Sequence, residues 1–87
     1  MKEAIGIIET RGLVAAIQAA DTMVKTANVR IMNFQVVGSG LVSVTVSGEV
    51  AAVKSAVENG RHTAEAISEI ISVNVIPRPH DEVDKMF

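Results

Sequence analysis

The sequence predicts an α+β domain in which two helices cover one face of a four-stranded antiparallel sheet, in the order β-α-β-β-α-β. Three observations predict it. Apolar spacing switches twice from short strand-like runs to steps of three and four residues, Gly38-Ser39-Gly40 separates two β-branched runs, and Pro77 and Pro79 close the last apolar run. Two split β-α-β units with right-handed crossovers then bring both helices to the same face.

The first strand is expected over Glu3–Glu9, an Ile-rich run ended by a turn at Thr10, Arg11 and Gly12. A helix follows from Leu13, with Leu13, Ala16, Ile17, Ala20, Val24 and Ala27 as its buried stripe, Gln18, Asp21, Thr22 and Lys25 opposite, and Thr10 as a candidate cap. Val29–Val37 is rich in β-branched residues, and Leu41–Ser47 alternates Val42, Val44 and Val46 with Ser43, Thr45 and Ser47. Two strands joined at a glycine turn form a hairpin.

Gly48 and Glu49 open a second helix, whose apolar stripe is Val50, Val53, Val57, Gly60, Ala64, Ile67 and Ile71, and Glu49 suits the positive end of the helix dipole. Gly60 within that stripe predicts a close approach to the sheet, because glycine in mid-helix otherwise costs about 1 kcal/mol relative to alanine. Ile70–Ile76 forms the fourth strand with Val73 and Val75 inward. After the prolines, residues 81–87 form a short terminal helix that lays Val83, Met86 and Phe87 on an apolar surface. The arrangement is ferredoxin-like. It leaves the second sheet face open, where Met32 and Val36 are expected to make a sticky patch that calls for assembly.

Composition points the same way. Residues 1–87 make one domain of 87 residues, of which 48% are hydrophobic, and mean hydropathy is +0.34. A chain of this size folded alone hides roughly 60% of its unfolded surface, so the apolar excess predicts burial against other copies. Phe34 and Phe87 are the only aromatic residues, and the net charge is -2 from eight basic and ten acidic residues. That balance gives no general attraction for nucleic acid or anionic membranes. There are no cysteines, no apolar run approaches the ~18 residues of a membrane span, and MKEAIGIIETRG reads as a strand rather than a signal peptide. A soluble, cytoplasmic protein with protein partners is expected.

The residues give no catalytic constellation. His62 and His80 lack ligand-like spacing, with His62 expected at solvent or a subunit contact and His80 at the start of the final turn. Asp81, Glu82 and Asp84 read as a solvated helix start rather than a metal site. Gly38-Ser39-Gly40 reads on spacing alone as an ordinary turn rather than an anion nest. Lys25 reads as a helix-end cation, and Arg78 as a loop arginine pre-organised between two prolines. No catalytic residue, metal or cofactor is assigned.

The segments EAIGIIETRGLVAAIQAADTMVKTANV, VVGSGLVSVTVSGEVAAVKSAV and SVNVIPRPH resemble, over nearly the whole chain, the hexagonal shell proteins of bacterial microcompartments, the single BMC-domain class with unpermuted strand order. ETRGL, the MVK ending of the first helix, GSGL and VIPRPH in this order carry the resemblance. It implies a structural, non-enzymatic subunit of the microcompartment shell. Six copies would form a flat hexagon, with Gly38, Ser39 and Gly40 lining a central pore for passive diffusion of small polar metabolites. Lys25 and Arg78 would lie at the edges where hexamers meet. The partners it implies are further copies in a homohexamer, neighbouring hexamers, other shell proteins and enclosed enzymes. Asn74 stands where histidine is frequent in the family, and Arg61-His62 after Gly60 where small alanines are usual.

Two other classes share this strand order. An RNA recognition module stacks bases on aromatics of its central strands, and neither Ile5–Glu9 nor Leu41–Ser47 has one. A ligand-binding regulatory domain would hold a small molecule tightly at the GSG turn, whereas occupants of a pore must leave as readily as they enter.

Overall fold

A computed structural model describes residues 3–77. Its elements run β1 (Ala4–Arg11), α1 (Leu13–Thr26), β2 (Val29–Gly38), β3 (Leu41–Gly48), α2 (Val50–Glu65) and β4 (Ile70–Ile76). The strands form one sheet in the order β2-β3-β1-β4, with every neighbouring pair antiparallel, as the sequence predicts. The domain measures 34 × 26 × 15 Å, a slab one sheet and one helix layer thick. The terminal helix expected over 81–87 lies outside the described residues.

Strand alternation decides which side chains meet the helices. Ala4, Ile8, Val42, Val44 and Val46 pack with Ala15, Ala16, Ala19, Met23, Val53, Ala56 and Val57 in the core, and Val73 and Val75 lie at its margin. Two glycines bring the layers together. A Cβ on Gly6 would stand 2.5 Å from Val57 and 2.8 Å from Val53, and one on Gly60 would stand 2.7 Å from Met23 and 3.1 Å from Ile8. The close approach expected at Gly60 is thus present, against α1 as well as the sheet.

Several expectations need correction. The buried stripe of α1 is Ala15, Ala16, Ala19, Ala20 and Met23, while Leu13, Val14, Ile17 and Val24 are exposed. The reason is distance, since four alanines admit the close helix contact seen at Gly60, where Met23 is the one larger side chain of the stripe. Helix α2 ends at Glu65, so Ile67 and Ile71 leave its stripe and are exposed. Thr10 does not cap α1. It is fully buried within β1, which runs on to Arg11, and Gly12 occupies the N-cap position.

The second sheet face is not the open apolar patch expected, since Ile5, Thr45 and Ser47 on it are buried. Its register rows read Arg30-Ser47-Ile5-Ile76, Asn33-Thr45-Ile7-Asn74 and Gln35-Ser43-Glu9-Ser72, mostly hydroxyl and amide side chains. Val36 pairs with the core residue Val42, and so projects on the helix side, where it is 66% exposed. Met32 falls at the register shift between Ile31 and Asn33 and is partly buried. Most of the exposed large apolar side chains therefore lie on the outer side of α1 and on the edge strand β2, where Ile31, Phe34 and Val36 project on the helix side.

Candidate functional site

The hairpin tip takes its shape from three successive residues at positive φ, namely Gly38 (124°), Ser39 (55°) and Gly40 (80°). Glycine reaches these conformations without a Cβ penalty, and serine tolerates the left-handed region as a single residue. All three are exposed, and a Cβ on Gly38 or Gly40 would meet nothing within 4 Å. The backbone, not crowding within the subunit, thus favours glycine here. The tip offers a small hydroxyl and bare backbone to whatever faces it.

Sequence reasoning missed what holds this tip. The Gly12 N–H donates to the Gly40 carbonyl oxygen at 2.6 Å, and the Thr10 hydroxyl donates to the Gly12 carbonyl oxygen at 3.1 Å. The glycine that closes the turn predicted after the first strand was the available signal, and Gly12 stands at φ 97°.

Helix α1 starts beside that tip and runs for fourteen residues, so Lys25 in its last turn lies roughly 20 Å away at a rise of 1.5 Å per residue. The Lys25 side chain is 71% exposed, and its ammonium pairs with Asp21 Oδ2 at 3.0 Å, one turn back on the same helix. Arg78 and His80 lie outside the described residues, as do Asp81, Glu82 and Asp84. His62 is exposed on α2. Beside it, Arg61 bridges Glu58 and Glu65. The hydrogen bond from Arg61, and then its charge, hold the Glu58 carboxyl below the usual carboxylate range, and the same bonds raise Arg61.

A second polar group also escaped sequence reasoning. Arg30 Nη2 donates to Glu3 Oε1 at 2.9 Å, and Ser47, which faces Arg30 across the β2–β3 ladder, approaches the same oxygen at 3.5 Å. They line a polar cleft of about 320 Å³ with Glu49 and Asn28, at the end of the sheet away from the hairpin. Among the described residues, no group of three or more His, Cys, Asp or Glu side chains is placed to hold a metal ion.

A slab with a side-chain-poor hairpin tip at one end and an exposed cation at the other matches the sequence profile of the BMC domain over residues 4–79. The chain belongs to the BMC domain family. It is 52% identical over 85 residues to bacterial microcompartment shell protein PduA of Citrobacter freundii, covering 98% of this chain and 91% of that one. It is 49% identical over 85 residues to bacterial microcompartment shell protein EutM of Salmonella typhimurium, covering 98% and 88%. A carboxysome shell protein of Hydrogenovibrio crunogenus is 48% identical over 82 residues, covering 93% and 85%. The crystal structure of a microcompartment protein from Desulfitobacterium hafniense superposes with a TM-score of 0.84 at 35% identity, over 95% of this chain. This BMC domain spans 45% of the length of that protein.

Proposed function

We propose that this BMC domain, one domain over residues 1–87, is a non-catalytic subunit of a bacterial microcompartment shell in the cytoplasm. Six copies close into a flat cyclic hexamer, and hexamers tile edge to edge with one another and with other shell proteins around enclosed enzymes. Gly38, Ser39 and Gly40 from each copy line a central pore through which small polar metabolites diffuse passively. Lys25 and Arg78 form contacts at the hexamer edge. The reading assigns no metal and no cofactor.

The observation that carries this reading is the separation of the bare GSG tip from Lys25 along the α1 direction of a 15 Å thick slab. Such a subunit can present the tip to a symmetry axis and Lys25 to a rim. Glycines suit six backbones converging on one axis, and Ser39 gives passing polar solutes a hydroxyl partner without a deep well. The exposed apolar groups on α1 and β2 support a large subunit interface, since patches of this kind seldom stay bare. Relatives named as shell proteins at about half identity over nearly the whole chain support the same assembly.

Glycerol entry into assembled shells, followed by stopped-flow scattering, tests the pore. Replacing Ser39 by leucine puts six apolar side chains at one constriction and should slow entry several-fold while hexamers persist. An unchanged entry rate would move transport away from the tip.

A further inference from the structure

The tip lacks side-chain packing of its own, yet it is tied to the body of the domain by a corner whose three residues are each bonded. Thr10 is fully buried beside Ile8 and Val42 and makes its side-chain bond to the Gly12 carbonyl oxygen. A hydroxyl in such surroundings is costly unless bonded, so the bond explains why threonine serves where valine would fill the same space. Arg11 is gripped from the other side. Its N–H donates to the Glu69 carbonyl oxygen at 3.0 Å, its carbonyl oxygen accepts from the Ser68 hydroxyl, and its guanidinium pairs with the Glu69 carboxylate. Gly12, at φ 97° and ψ 149° in a region essentially reserved for glycine, then turns its N–H onto Gly40.

We propose that Thr10 and Gly12 are positioning residues that clasp the hairpin tip and so set where the Ser39 hydroxyl stands. The consequence for passage rests on the reading of the tip as a pore wall, but the clasp itself does not. Ser39 precedes the clasped residue by one position, so any release of Gly40 moves it directly. In a ring of six, that displacement repeats at a single constriction.

Thr10→Val removes the hydroxyl and keeps the shape, whereas Thr10→Ser keeps the hydroxyl and loses a methyl group. The two roles give opposite orders. If Thr10 serves packing alone, Thr10→Ser is the more perturbed at every site. If it clasps the tip, Thr10→Val leaves the melting temperature near wild type, yet the Gly12 amide exchanges hydrogen roughly five- to ten-fold faster, as expected for one weakened bond. Val44 and Val46 amides should stay unchanged, and Thr10→Ser should keep Gly12 protected despite melting lower. Residue-resolved exchange on the full chain decides this, and wild-type protection of Gly12 in Thr10→Val overturns the clasp. Glycerol entry into shells of Thr10→Val should also change. If Ser39→Leu slows entry and Thr10→Val does not alter it, the clasp does not position the pore wall and the proposal fails. If Ser39→Leu itself has no effect, the pore reading falls, while faster Gly12 exchange still establishes the clasp.

Discussion

Replacing Lys25 by alanine separates tile assembly from subunit stability, because the side chain touches little within its own subunit. That side chain is 71% exposed, and its ammonium pairs across one helical turn with Asp21, whose side chain is 47% exposed. An exposed pair of this spacing contributes about 0.3 to 0.5 kcal/mol, and a cation in the last turn adds a few tenths through the helix dipole. Alanine regains a little in helix propensity. The subunit should therefore lose less than about 1 kcal/mol, a melting shift of a few degrees for a domain of this size. At the proposed hexamer edge the arithmetic differs. A contact across the edge contributes on the order of 1 to 3 kcal/mol, and each tile repeats it on every edge, so the losses compound across a sheet. Electron microscopy should show sheets or shells for wild type and isolated hexamers for the variant, with hexamers intact by sedimentation. Sheets as abundant as wild type, or hexamers fallen into monomers, would refute the reasoning.

Gly6→Ala should be among the most damaging small substitutions, because its Cβ would meet two valines at 2.5 and 2.8 Å whose branched side chains have few other rotamers. Overpacking of this kind costs about 1 to 3 kcal/mol, and a melting point within two degrees or so of wild type would contradict the packing described. In Arg61→Ala, Glu58 should titrate higher than in wild type, read by carboxyl chemical shifts, because the hydrogen bond that favours its charged form is gone. The stabilisation from this contact is present above the ordinary carboxylate pKa and is lost as pH falls through the depressed one, so an unmoved Glu58 titration would remove Arg61 as its cause.

Much of this was legible in the sequence for specific reasons. Val42, Val44 and Val46 alternate with small hydroxyl residues, so their strand and its inward face follow from period two alone. GSG between β-branched runs fixed the hairpin, and Gly60 announced its close contact. Helix α1 misled because it is apolar nearly all round. With Leu13, Val14, Ile17 and Val24 competing against alanines, periodicity alone does not choose a face, and the expected stripe of Leu13, Ala16, Ile17, Ala20, Val24 and Ala27 mixes the two. The choice depends on how near α2 and the sheet approach. Thr10 reads locally as a turn residue and a candidate cap, whereas the strand runs on through it to Arg11 and ends only at Gly12, at positive φ. The Arg30, Glu3 and Ser47 cluster and the Gly12–Gly40 bond join residues 17 or more positions apart, and arise from cross-strand register that a residue pattern does not express.

The exposed apolar groups moved from the sheet face to α1 and β2 without weakening the case for assembly, because the same surplus of side chains still needs a partner surface. Sedimentation of the purified full chain, diluted to micromolar concentration, tests that claim most directly. A permanent, largely apolar interface predicts a single species at six times the subunit mass that persists on dilution. A well-folded monomer at that concentration would contradict the account at its root.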